Sequence, residues 1–234
     1  MLILTSRLWQ GSAMLPVKAV IFDMDGVIVD SEPPIIEAKQ QVLAAFGVHQ
    51  PESYHFKFMG MSFQAIWDNM RTELNLPVST EELLKRYFKA YQQLIDANGQ
   101  QPIPGSLALI NGLAAQGYRL ALASSSPLAD IQRTLTAFGV LDRFEVVLSG
   151  YELAHPKPAP DIFNMARAKL GLQPNQCVVV EDSDNGIRAA QAAGIQAIAF
   201  DDPRYHPQRT APGVIGVTSF KQVVPTATGI SITD

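Results

Sequence analysis

Five short runs of nearly unbroken apolar residues recur along the chain and constrain its fold more than any other feature. They occupy residues 17–22, 119–123, 144–148, 177–180 and 195–200. Such runs lack the polar–apolar alternation of a sheet with one wet face, so they suit strands buried on both sides of a parallel sheet. Between them lie helical patterns that each stop at a glycine: 106–116 before Gly117, 127–138 before Gly139, 159–170 before Gly171, and 185–193 before Gly194. Glycine adopts the left-handed conformation just past a helix end without the steric cost other residues meet. Strands alternating with helices of this length predict an α/β fold, a doubly wound parallel sheet with helices on both faces.

One segment interrupts the alternation. Residues 34–101 carry only helical patterns and read as a helical domain inserted after the first strand, leaving 17–33 and 102–234 as the α/β core. Ser79 or Thr80 with Glu81 and Glu82 opens one of its helices, placing acids at the positive end of the dipole. Leu83, Leu84, Tyr87, Phe88, Tyr91 and Leu94 then make one apolar stripe. Phe63, Ile66, Trp67 and Met70 make another, so Trp67 is expected to pack in a core. Pro102-Ile103-Pro104-Gly105 marks the return. Residues 1–16 read as an N-terminal extension, loose over its first thirteen residues, with Met14 as a second candidate start. Thr5, Ser6 and Arg7 break the continuous apolar stretch that secretion requires.

Composition excludes several function classes. With 18 Lys+Arg against 22 Asp+Glu, the net charge of −4 lacks the basic surface that nucleic acid or anionic lipid attracts. No apolar run approaches the roughly 20 residues of a transmembrane helix. One cysteine, Cys177, forms no internal disulfide, and its place in an apolar run predicts a buried thiol. A cytoplasmic monomer acting on a small molecule is expected.

The strand ends carry the chemistry. The first ends in Phe22-Asp23-Met24-Asp25-Gly26, and residues two apart on an extended chain point the same way. Both carboxylates therefore face the carboxyl end of the strand, where open α/β sheets bind ligands. Such a pair either shares a hard cation or divides the roles of nucleophile and proton donor. The second run leads into Ser124-Ser125-Ser126 and Pro127, hydroxyls at a helix start that suit phosphate, although Ser126 by itself reads as an N-cap. Lys157 sits between Pro156 and Pro158, which restricts its loop and suits placement of a point charge. The run 177–180 leads into Glu181-Asp182-Ser183-Asp184, a second acidic strand end. Each feature alone is ordinary turn, cap or surface chemistry. Together, four successive strand ends bearing acids, hydroxyls, a lysine and more acids point to a phosphate-and-Mg²⁺ site.

This ordering resembles the haloacid dehalogenase-like superfamily, in its branch of β-phosphoglucomutase and sugar-phosphate phosphatases. Asp23-Met24-Asp25-Gly26 looks like its first motif, Ser124 its second, Lys157 its third and Glu181-Asp182 its fourth, over roughly residues 17–224. The resemblance implies a Rossmann-like core with an inserted all-helical cap domain, residues 34–101. It implies Asp23 as the nucleophile that becomes an aspartyl phosphate and Asp25 as general acid and base. Ser124, Ser125 and Lys157 are implied to bind the transferring phosphoryl group. Mg²⁺ is implied among Asp23, Asp25, Glu181 and Asp182, with Asp25 using its carbonyl and Glu181 orienting water or Lys157. Asp25 argues against a dehalogenase, because a halide leaves without a proton. The family's mutases place His and Arg where this chain has Ile35 and, in Gly60-Met61-Ser62-Phe63, Phe63. Neither can hold a second phosphate by charge. The expected function is Mg²⁺-dependent hydrolysis of small phosphate monoesters, with phosphoryl transfer between sugar hydroxyls as the alternative.

Overall fold

The structure, a computed structural model, describes residues 13–59, 61–205 and 213–233. The first twelve residues of the expected extension and Gly60 of the Gly-Met-Ser-Phe segment lie outside the described residues. The chain runs β1 (Ala13–Leu15), β2 (Ala19–Phe22), α1 (Glu32–Ala44), α2 (Glu52–Phe56), α3 (Phe63–Glu73) and α4 (Thr80–Asn98). It continues with α5 (Ser106–Ala115), β3 (Arg119–Ser124), α6 (Leu128–Ala137), β4 (Val146–Ser149) and α7 (Asp161–Lys169). The last third holds β5 (Cys177–Glu181), α8 (Asp184–Ala192), β6 (Gln196–Phe200), β7 (Ile215–Val217), β8 (Val223–Thr226) and β9 (Gly229–Ile232). Two units result, one formed by residues up to Val29 with those from Pro102 onward, the other by Asp30–Gln101.

In the first unit six strands form a parallel sheet in the order β4-β3-β2-β5-β6-β7. The chain builds outward from β2 to one edge and then crosses to β5 on the other side, so the order reverses at β2. That reversal opens the crevice beyond the carboxyl ends of the strands where such sheets place ligands. Both faces of the sheet are buried. Phe22, Leu122 and Val180 lie in one apolar layer, and Ile21, Ala121 and Val179 lie in the other. This is why the strands read as continuous apolar runs. Each core helix ends on a glycine with positive φ, Gly117, Gly139, Gly171 and Gly194.

The sequence reading misses a second sheet, antiparallel and three-stranded, in the order β1-β9-β8. Residues 13–15, assigned to the extension, pair with 230–232 instead. Pro225 argues against a strand, but it sits in β8 at the sheet's edge, where a missing N–H is tolerated. The three-residue β7 is likewise too short to carry a pattern.

The helical unit is organised around α1 and α4, with α3 packed beside α4. Ser79 is the N-cap of α4, its hydroxyl accepting the Glu82 amide at 3.3 Å. Trp67, Met70, Leu83 and Tyr87 are buried, as their spacing predicts. Phe88 corrects the expected stripe, being 48% exposed, and Phe63 is 37% exposed. One helical residue turns the chain by about 100°, so Phe88 lies round the helix from the buried Tyr87. The Phe63 ring leans on both Tyr87 and Phe88, with centroids 5.1 and 5.5 Å away.

Candidate active site

Sheet register assembles the site. Phe22 pairs with Leu122 of β3 and with Val180 of β5, so the next residues, Asp23, Ala123 and Glu181, lie level across three strands. The Asp23 amide donates to the Val180 carbonyl at 3.0 Å and extends the ladder one residue past β2. Lys157 spans all three strands. Its Nζ donates to Asp23 Oδ1 at 2.6 Å, to Glu181 Oε1 at 2.7 Å and to the Ala123 carbonyl at 3.1 Å. Burial opposes its charge, yet Asp23 and Glu181 outweigh burial and raise the ammonium above its ordinary pKa. Lys157 is therefore a fixed positive charge.

The other oxygen of Glu181 is equally engaged. Oε2 accepts the amides of Asp182 at 3.0 Å and Ser183 at 2.9 Å, and the Ser183 hydroxyl at 2.9 Å. That hydroxyl also accepts the Gly186 amide at 3.1 Å and so caps α8. A Cβ at Gly186 would lie 1.7 Å from Glu181 Oε1, so only glycine fits there. Gly26, with φ of +73°, has the same role on the opposite side, where a Cβ would meet Asp182 Oδ2 at 2.1 Å.

Asp25 faces a different partner. Its Oδ2 accepts the Ser126 hydroxyl at 2.7 Å. Ser126 is thus not the N-cap its position suggests, because α6 begins at Leu128 with Pro127 as its N-cap. Ser126 is the site residue that sequence reasoning misses, since a serine before a helix is ordinary cap chemistry. Ser124 is fully buried, and its hydroxyl accepts the Ser126 amide at 3.1 Å, holding the loop that presents Ser126. Ser125 is exposed on the same loop.

Burial raises both first-motif carboxyls. It pushes Asp23 up to about 7, opposed by Lys157 and reinforced by Glu181 and Asp25. Burial also raises Asp25, opposed by the Ser126 hydrogen bond. Ligand oxygens of Asp23, Glu181 and Asp182 all lie within 4.8 Å of one another. Three carboxylates against one ammonium leave excess negative charge at a desolvated point. All-oxygen donors of this kind match a hard divalent cation.

The chain matches the family model described as haloacid dehalogenase-like hydrolase over residues 20–200. It is 33% identical to hexitol phosphatase B of Escherichia coli K12 over 198 residues, 81% of this chain and 88% of that protein. It is 31% identical to a phosphorylated carbohydrates phosphatase of Thermotoga maritima over 185 residues, 77% of this chain and 83% of that one. A solved HAD family hydrolase from Deinococcus radiodurans, with bound phosphate and sodium, superposes with a TM-score of 0.72. That structure is 29% identical, over 83% of this chain and 86% of its own. The parallel core, the order of charged strand ends and these matches agree: the chain belongs to the haloacid dehalogenase-like hydrolases.

Proposed function

We propose that the protein is a Mg²⁺-dependent phosphatase of small phosphate monoesters, sugar or polyol phosphates among them, working through an aspartyl phosphate on Asp23. The observation that carries this reading is Lys157 fixed between Asp23 and Glu181, with a second carboxyl, Asp25, two residues from the first. Asp23 attacks phosphorus, forming an O–P bond as the bond to the alkoxide breaks. Asp25 protonates that alkoxide, then takes a proton from the water that cleaves the aspartyl phosphate. Burial favours the protonated Asp25 that the first step needs. Lys157 and the amides and hydroxyls of the 124–126 loop balance charge on the phosphoryl oxygens. Asp23 and Asp182, with the Asp25 carbonyl, would hold Mg²⁺; bound there, the ion offsets repulsion between carboxylate and phosphate and polarises the phosphoryl group. Glu181 has both oxygens engaged by Lys157 and by the 182–183 turn, which fits a positioning role beside the metal.

The relatives named for hexitol and carbohydrate phosphates support this substrate class. Mutase chemistry needs a second phosphate held by charge, and Ile35 and Phe63 supply none. A screen of phosphorylated sugars, polyols and glycolate for released phosphate, with and without Mg²⁺, tests the reading. Release confined to Mg²⁺-containing assays is expected. Incubation with β-glucose 1-phosphate, with and without glucose 1,6-bisphosphate, separates the alternative. Glucose 6-phosphate forming faster than free phosphate would establish a mutase.

A further inference from the structure

Three serines tie Asp25 to the end of β4, and one of them, Ser149, has no part in the site described above. The 124–126 loop is joined to β4 at two levels. Ser124 and Ser149, the last residues of their strands, are partners in the β3–β4 ladder, and the Gly150 amide donates to the Ser124 carbonyl at 2.7 Å. Two residues farther into the loop, the Ser149 hydroxyl donates to the Ser126 carbonyl, also at 2.7 Å. The same hydroxyl accepts the Tyr151 amide at 3.2 Å, so it is held from both sides. Every polar group of Ser126 is then engaged. Its amide is on the Ser124 hydroxyl, its carbonyl on Ser149, and its own hydroxyl on Asp25 Oδ2.

This chain of contacts has a direction. Ser126 precedes α6 and lies beyond β3, so neither a helix nor a strand fixes its backbone. A serine hydroxyl has three staggered positions, and it points reliably at a partner only when the backbone beneath it is held. Ser149 supplies that hold on the carbonyl side, as Ser124 does on the amide side. We propose that Ser149 is a positioning residue for acid catalysis: it fixes Ser126, and Ser126 in turn aims the Asp25 carboxyl at the leaving-group oxygen. The proposal rests on Asp25 being the general acid. With Oδ2 taken by Ser126, Oδ1 carries the proton, which passes to the leaving oxygen as that oxygen's bond to phosphorus breaks. A carboxyl left to turn about its Cβ–Cγ bond offers Oδ1 in the right direction only part of the time, and misaimed groups lose rate steeply.

Steady-state kinetics of the full-length protein with Mg²⁺ test this, using phenyl phosphate and p-nitrophenyl phosphate. The two esters are similar in shape, but phenolate needs a proton to leave well and nitrophenolate does not. The quantity compared is kcat/KM, which covers the steps through transfer to Asp23 and leaves out the later hydrolysis. Ser149→Ala should lower kcat/KM for phenyl phosphate by roughly fivefold or more and for p-nitrophenyl phosphate by less than about twofold. Added to Asp25→Asn, the same substitution should cost phenyl phosphate less than about twofold, because the group it aims is already gone. Ser149→Cys keeps the volume with a weaker donor and gives the same comparison if the alanine variant fails to fold. Equal losses on both esters, no loss on either, or an undiminished loss in the Asp25→Asn background would overturn the proposal. Asp25→Asn alone tests the underlying reading. If it penalises phenyl phosphate selectively while Ser149→Ala does not, Asp25 remains the acid and Ser149 has no share in aiming it.

Discussion

Asp23 and Asp25 carry the same functional group two residues apart, yet their surroundings differ. Asp23 bonds to Lys157, whereas Asp25 accepts from Ser126. Asp23→Asn keeps the shape but makes the oxygen a poor nucleophile, so turnover should fall by roughly 10⁴-fold or more while thermal unfolding stays cooperative. Substantial residual turnover in that variant would remove Asp23 from the nucleophile's role. Asp25→Asn should cost about 10²–10⁴-fold for sugar phosphates, whose alkoxide leaves only when protonated. For p-nitrophenyl phosphate the same variant should lose much less, because nitrophenolate leaves unaided. Equal losses for both substrates would count against Asp25 as the acid. The paired acids were legible in the sequence because strand geometry alone places them on one side. The Ser126 contact was not legible, since it joins residues 101 positions apart.

Among the elements, the strand ends matter through their register and the helices through their caps. Parallel pairing sets Asp23, Ala123 and Glu181 level, and Lys157 reaches from a loop to close the set. In the helical unit, α4 depends on Ser79, whose hydroxyl takes an otherwise unpaired amide of the first turn. Ser79→Ala should lower stability by about 1 kcal/mol, measurable as a shift of the denaturant midpoint at unchanged slope, and leave turnover intact. A neutral result would mean that solvent satisfies the Glu82 amide equally well. This cap was legible in sequence because Ser-Thr-Glu-Glu is a local signal. Strands β1, β8 and β9 were not, because three or four residues are too few to show a period, and the β1–β9 pairing joins opposite ends of the described chain.

For the molecule as a whole, buried titratable groups couple stability to pH. His55 is held down to about 4 from 6.5, by burial first and then by Lys39, with the Tyr54 ring packed edge-on 5.4 Å away. The unfolded chain protonates this ring below 6.5 and the folded chain only near 4, so folding loses stability as pH falls between those values, by up to about 3 kcal/mol. Asp23 and Asp25 act in the opposite sense, since their raised folded values favour the native state at low pH. The difference between wild type and His55→Leu isolates the histidine, and chemical unfolding at several pH values should show a flatter acid limb in the variant. Identical limbs would mean that His55 is protonated in the folded state without penalty. Sequence alone determined the parallel α/β core, the order of charged strand ends and the absence of charge at Ile35 and Phe63. These follow from local periodicity, turn chemistry and residue type. Tertiary structure decided which groups pair: Lys157 with Asp23 and Glu181, Ser126 with Asp25, glycine at 186 against a carboxylate, and a histidine, His55, buried with neither ring nitrogen hydrogen-bonded. Those outcomes depend on register and on contacts between distant segments, which no local pattern encodes.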